Sequence, residues 1–161
     1  MTEDSALSSA RWFLRISIAG GFLAAVADRF GIWGATGTPN VSWGAWAPFV
    51  DYVAKLNWFV PAPIIPFLAW AATFAETVFA VGLIVGWKLR WFALGSGFLL
   101  LSFALTMTLA LGIKAPLNYS VFAASAGAFF LAASIPSSSE HLSWSSPDSP
   151  GERGNRAQGL A

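Results

Sequence analysis

The sequence predicts an all-α integral membrane protein: an integral membrane four-helix bundle with an interfacial amphipathic helix in the first outer loop. Of the 161 residues, 56% are hydrophobic and 11% are charged, whereas soluble domains carry about 25% charged residues. The apolar residues are grouped in four segments, residues 11–33, 64–86, 91–113 and 116–135. A helix of about 20 residues crosses the bilayer core, so each segment is long enough, or nearly so, to span it. A soluble chain of this length could not bury so much apolar surface.

The first segment, residues 11–33, has two interpretations. In one, residues 1–15 and 16–26 are the charged and apolar regions of a secretory signal peptide, and residues 25–27 form an A-x-A cleavage site. However, Glu3 and Asp4 weaken the positive charge that such a peptide needs, and apolar residues resume at Phe30, Ile32 and Trp33. These features favour a retained first helix.

The loop between the first two segments is long and contains its own helical pattern. Turn residues open it at Gly34, Gly37, Pro39 and Asn40, which are typical of irregular backbone. Residues 43–59 then place apolar side chains on one helical stripe and polar ones opposite: Trp46, Phe49, Val50, Val53 and Leu56 against Asp51 and Lys55. This pattern predicts an amphipathic helix lying in the outer membrane interface.

The last segment and the tail differ sharply in composition. Residues 116–135 are rich in alanine, glycine and serine, which let helices approach closely, so this span is predicted to lie inside the bundle. Residues 137–161 are rich in serine, proline and glycine and cannot bury enough apolar surface to order themselves. We expect a disordered cytoplasmic tail.

Basic residues set the expected orientation, because lysine and arginine are enriched on the cytoplasmic side. With both termini inside, the inner side carries Arg11, Arg15, Lys88, Arg90, Arg153 and Arg156, and the outer side carries Arg29, Lys55 and Lys114. The imbalance favours a multi-pass protein with the N-terminus and the C-terminus in the cytoplasm.

Glu76 is the main candidate for a functional residue, because it lies at the middle of the second segment. A carboxylate at the bilayer midplane costs about 2.5–3.5 kcal/mol on insertion scales, so we expect a neutral carboxyl. Thr73 and Thr77 share its helix face, and Ser102 and Ser125 lie at similar depth on the third and fourth segments. This midplane polar site has two interpretations: an interhelical hydrogen-bond cluster, or a proton site or ligand anchor.

A second polar group is expected at the outer mouth of the bundle. Asp28 and Arg29 end the first segment, while Asn118 and Tyr119 begin the fourth. The four side chains form either a shared cluster or ordinary interface anchors.

Several kinds of chemistry are not indicated. The chain has no cysteine, and its one histidine, His141, lies in the tail, so neither thiolate metal sites nor bis-histidine haem ligation is expected. No catalytic triad, phosphate-binding loop or metal site is recognisable. A net charge of +1 without a basic run gives no sign of nucleic-acid binding.

Several motifs in order resemble the DoxX family of small four-helix bacterial membrane proteins. They are residues 15–21, the A-D-R-F-G sequence of residues 27–31, the Ala75-Glu76 pair followed by Gly82 and Gly86, then Arg90, and the K-A-P-L-N-Y-S-V-F sequence of residues 114–122. The resemblance covers residues 11–135. It implies a bacterial cytoplasmic (inner) membrane protein that acts as a non-catalytic subunit or partner of a membrane redox system, with quinone as the implied cofactor.

Two functional hypotheses therefore follow. In the first, the chain has no enzymatic activity of its own and its partners are the lipid bilayer and a membrane redox enzyme, or further copies of itself. In the alternative, it is a small-molecule or proton-coupled membrane carrier in which Glu76 titrates. No catalytic residue set is implied by the resemblance.

Overall fold

A computed structural model describes residues 3–135, and the predicted tail, residues 137–161, lies outside this range. All regular structure within residues 3–135 is helical. The helices are α1 (Glu3–Arg29), α2 (Trp46–Leu56), α3 (Ile65–Val85), α4 (Leu89–Leu111), α5 (Lys114–Asn118) and α6 (Val121–Ala133), with a short 3₁₀ turn at Ala62–Ile64 ahead of α3.

Three of these helices are long and apolar enough to cross a membrane, whereas the sequence predicted four such spans. They comprise Ser5–Arg29, Ala62–Val85 and Leu89–Leu111, with mean hydropathies of 1.3, 1.8 and 1.9. Their exposed faces carry large apolar side chains such as Phe13, Phe67 and Leu109, which a bilayer would cover. The chain is therefore a membrane protein by the length and composition of its helices.

The predicted fourth segment is divided in the structure. Ser120 adopts a left-handed backbone conformation with φ 54°, which separates α5 from α6. The resulting α6 has 13 residues, about 20 Å of helix at 1.5 Å per residue, which is shorter than the bilayer core of about 30 Å. Apolar composition alone did not reveal this break.

The helices pack in neighbouring pairs, mainly α1 with α3, α3 with α4, and α4 with α6. Their shared apolar core is the central cluster, whose fully buried members include Ala80 and Leu83 of α3, Ala93 of α4 and Leu131 of α6. A separate apolar group, the cap cluster, joins α2 to the first turns of α3 through Phe49, Val53, Ile65 and Ala69. The loop helix therefore packs against the end of the helical bundle.

The helix α2 lies where the apolar stripe predicted a helix. Its stripe faces the protein, because Phe49, Val53 and Leu56 are buried, while Asp51 on the opposite face is exposed. We refer to residues 30–60, which connect α1 to the start of α3 and include α2, as the cap.

Candidate functional site: a buried ion pair beneath an aromatic cap

The most unusual polar contact in the described chain is an ion pair between Arg29 and Glu76. Arg29 is the last residue of α1, and Glu76 lies near the middle of α3. The Arg29 Nη2 atom donates to Glu76 Oε1 at 2.8 Å and lies 2.6 Å from Oε2. Each residue is 2% exposed, so both charged groups are withdrawn from water. In this buried environment, either charge without its partner would be very costly.

Thr73 completes the polar contacts on the same face of α3. The Arg29 Nη1 atom donates to Thr73 Oγ1 at 2.7 Å, and the Thr73 hydroxyl donates to the Ala69 carbonyl at 2.8 Å. Thr73 and Glu76 are three residues apart and therefore neighbours on the helix surface. Two hydrogen-bonding groups of α3 thus hold one guanidinium from α1.

Aromatic rings of the cap cover this guanidinium. The Arg29 Cζ atom lies 3.8 Å from the centroid of the Phe49 ring and 5.5 Å from that of Trp43. Such contacts are favourable because the ring face carries negative electrostatic potential, and desolvation strengthens them. Phe49 itself packs against Trp43 and Trp46, so the cover is a connected aromatic group.

Asp28, the residue before Arg29, fastens the cap to the end of α1. Its Oδ2 atom accepts hydrogen bonds from the backbone N–H groups of Ser42 at 2.8 Å and Trp43 at 3.3 Å, and its Oδ1 atom accepts one from Gly44 at 3.2 Å. Hydrogen bonds to a carboxylate are stronger than neutral ones. Asp28 therefore positions Trp43, one of the rings above Arg29.

Gly44 is required where the cap folds back on itself. Its φ is +66°, and a Cβ atom added there would overlap the backbone of Thr36. Because only glycine adopts this conformation without steric cost, the tight fold of residues 31–44 depends on it. The sequence indicated a turn-rich loop but not its attachment to Asp28.

Chemically, the site is a closed charge pair with little spare hydrogen-bonding capacity. Among buried side-chain atoms of the described residues, Arg29 Nε and Glu76 Oε2 have no hydrogen-bond partner, although Oε2 is in ionic contact with Arg29. A further ligand would have to use these atoms or displace one partner. In either case the aromatic rings above the guanidinium would have to move.

The predicted midplane polar site is brought together only in part. Thr73 joins Glu76 through Arg29, whereas Thr77 donates to the Thr73 carbonyl of its own helix. Ser102 is exposed and donates to Leu99 of α4. Ser125 is buried and donates from α6 to the Gly97 carbonyl of α4 at 2.9 Å, which joins two other helices. Equal depth along the chain therefore did not imply a shared helix face.

The predicted outer-mouth group is also divided. Arg29 donates a hydrogen bond to Glu76, whereas Asp28 accepts hydrogen bonds from the loop amides, so the two adjacent residues bind different partners. Asn118 and Tyr119 are exposed, and neither makes a side-chain hydrogen bond to Asp28 or Arg29 among the described contacts.

Tyr52 on α2 is a further titratable group near this end of the bundle. Burial raises the pKa of its hydroxyl, and the nearby Tyr119 adds to this rise.

Arg15 forms a further polar contact, between α1 and α3, that the sequence did not assign. The sequence places it in the first span, and the structure directs its guanidinium to the last turn of α3. Its Nε and Nη2 atoms donate to the Leu83 carbonyl at 2.9 and 2.8 Å, and Nη2 also donates to Ile84 at 3.2 Å. A cation there satisfies carbonyls that lack helical partners and complements the helix dipole.

No group of three histidine, cysteine, aspartate or glutamate side chains that could hold a metal lies within residues 3–135. Compared with known proteins, the chain matches no protein-family model, no curated protein and no solved structure.

Proposed function

We propose that this chain is a DoxX-like membrane protein that serves as a non-catalytic subunit or partner of a quinone-linked redox system. In this proposal, α5 and α6 together form the fourth helical element of a four-helix bundle, and α2 lies at the interface on the outer side of the membrane. Both termini are in the cytoplasm of a bacterium, and the bundle lies in its inner membrane.

The observation that carries the non-catalytic role is the closure of the Arg29–Glu76 pair. Its charges neutralise each other, Thr73 holds the guanidinium, and Phe49 covers it. A side chain in this state is neither an exposed nucleophile nor a free base. The arrangement fits a protein whose polar residues fix its helices and whose apolar perimeter is available to lipid or a membrane partner.

A quinone is the cofactor that the DoxX resemblance implies. Arg29 retains N–H groups that would donate to a quinone carbonyl, and the rings of Trp43 and Phe49 offer faces for stacking. Arg29 and Phe49 are buried and Trp43 is half-buried, so such a ligand would bind only after the cap is displaced.

Purification in mild detergent tests this function. We expect a stoichiometric membrane oxidoreductase subunit, with a lipophilic quinone, to co-purify with the tagged chain and to be identified by mass spectrometry. A matched preparation of another tagged membrane protein of similar size would remove non-specific partners. Recovery of the chain alone, free of quinone and of any redox subunit, would count against the proposal.

The alternative, a proton-coupled carrier, is favoured by the position of Glu76 within a potential span and by its Oε2 atom, which has an ionic contact with Arg29 but no hydrogen-bond partner. Transport would require the carboxyl to leave Arg29 and take up a proton. Pure protein in liposomes should then couple a pH gradient to solute uptake, and Glu76→Gln should abolish this coupling. Uptake unaffected by the substitution would eliminate Glu76 as the coupling group.

A further inference from the structure

The cap encloses the ion pair and is attached to the bundle in two ways, by the apolar cap cluster beneath α2 and by the hydrogen bonds of Asp28 to its irregular part. Its irregular part, residues 31–44, contains glycines with positive φ at positions 31, 34, 37 and 44, and Asn40 has φ 65°. The backbone hydrogen bonds within this segment belong to isolated turns, those from Gly34 to Gly31, from Thr38 to Ala35 and from Val41 to Thr38, rather than to a helix or a strand. Segments of this kind are drawn from the less stable part of a protein.

Asp28 supplies the strongest anchor of this segment. One carboxylate accepts three consecutive backbone N–H groups, those of residues 42–44. A cluster of successive N–H groups of this type forms a concave anion site. Here the anion belongs to α1, so the cluster serves to attach the loop rather than to bind a free ligand.

The anchor and the ion pair are adjacent in sequence, which couples the cap to the site. Asp28 holds Trp43, Trp43 packs against Phe49, and Phe49 covers the guanidinium of Arg29. Release of residues 42–44 would therefore loosen both rings above the pair. It would not remove any contact between Arg29 and Glu76.

We propose that the cap is a gate over the Arg29–Glu76 pair and that the hydrogen bonds of Asp28 to residues 42–44 keep it closed. The gate opens as a unit, exposing the α3 surface beneath α2 while the central cluster stays packed. This device does not depend on which ligand or partner the chain has, so its test is independent of the proposed function.

Cysteine labelling measures the opening directly, because the chain contains no cysteine. Ala69→Cys reports on the cap, since Ala69 is fully buried beneath Phe49 and Val53. Ala80→Cys is the matched reporter on the same helix, fully buried in the central cluster. Both are labelled in the full-length protein in detergent with a small water-soluble maleimide.

Asp28→Asn is the test substitution, and Asp51→Asn is its control on the exposed face of α2. Losing a charge-assisted anchor should raise the labelling rate at position 69 about tenfold, with no change at position 80. Asp51→Asn should change neither rate. Equal acceleration at both positions would indicate general loosening and overturn the gate, as would an unchanged rate at position 69.

Hydrogen exchange in the unmodified chain provides a test that does not depend on the variants folding. Amides of residues 42–44 and of α2 should exchange together, through an opening that leaves the amides of α3 protected. Exchange of the cap only when α3 also exchanges would overturn the proposal.

Discussion

Arg29 is a charged residue whose side chain is only 3% accessible to solvent. Its neutralisation depends on Glu76, while Thr73 and Phe49 orient the guanidinium. A buried ion pair often contributes little compared with apolar residues of the same volume, but the loss of one partner leaves an uncompensated charge. The two residues are therefore interdependent.

Glu76→Gln should destabilise the protein by about 3–5 kcal/mol, because the neutral amide leaves Arg29 without a counter-charge. Reversible unfolding in mixed detergent micelles measures this loss. The double variant with Arg29→Gln should lose less than the sum of the two single variants, which reveals the coupling. If Glu76→Gln retains full stability, the carboxyl is neutral in the folded protein and Arg29 does not depend on its charge.

Tyr52 should ionise above the ordinary tyrosine value of about 10, because burial raises its pKa and Tyr119 adds to the rise. The unfolded chain ionises first, so the stability contributed by Tyr52 is complete below pH 10 and declines as the pH rises further. In the Tyr119→Phe variant, Tyr52 is the sole tyrosine, so ultraviolet absorbance reports its ionisation alone. The pKa of Tyr52 measured in this way should remain above 10 but should be lower than the pKa of Tyr52 in the unmodified chain. Titration at the ordinary value would show that α2 does not bury this hydroxyl.

Helix ends are stabilised from other helices in this protein. Arg15 of α1 donates to the final carbonyls of α3, and Arg11 donates to Ser134 just beyond α6. Gly86, at φ +81°, leaves room for the Arg15 guanidinium, since an added Cβ would lie 2.6 Å from its Nη2 atom. Side chains of α1 thus cap the C-terminal ends of two other helices, α3 and α6.

Arg15→Met should lower stability by about 1.5–3 kcal/mol, the range for hydrogen bonds to charged groups, because methionine keeps the apolar stem and loses all donors. Arg90→Met is the matched control, since Arg90 is exposed. The same unfolding measurement compares the two. Equal effects of the two substitutions would refute a specific capping role for Arg15.

Close packing of α3 on α4 depends on Gly82, where an added Cβ would overlap the Phe92 ring. Gly82→Ala should therefore destabilise by about 1–3 kcal/mol through overpacking. Gly20 on α1 has no atom near an added Cβ, so Gly20→Ala should be neutral or stabilising by up to about 1 kcal/mol. Thermal unfolding in detergent distinguishes these results, and a tolerated Gly82→Ala would contradict the close contact.

Hydropathy predicted the long helices because membrane insertion and apolar composition are directly linked. The helices α3 and α4 lie within two residues of the predicted segments, whereas α1 extends back to Glu3 because a helix continues beyond its apolar part. Glu76 and Arg29 were both recognised as candidates, but in separate groups. Their pairing depends on a long side chain reaching between helices, which chain position alone does not reveal.

For the whole molecule, basic residues predict both termini on the cytoplasmic side. Reporter fusions after Lys88 and after Arg153 should be active in the cytoplasm, and a fusion after Pro39 should be active outside. This orientation is predicted because lysine and arginine residues that flank membrane spans are enriched on the cytoplasmic side. A mature N-terminus at Asp28 by protein sequencing would instead show that the first segment is cleaved.

The separation of Arg29 from Glu76 has a consequence for biosynthesis. The partners are 47 residues apart, so at about 5–20 residues per second a ribosome makes the cation several seconds before the anion. During that interval the newly made α1 carries an uncompensated charge that the hydrocarbon core disfavours. The buried ion pair can therefore form only after α3 has been made, and until then Arg29 at the end of α1 has no counter-charge.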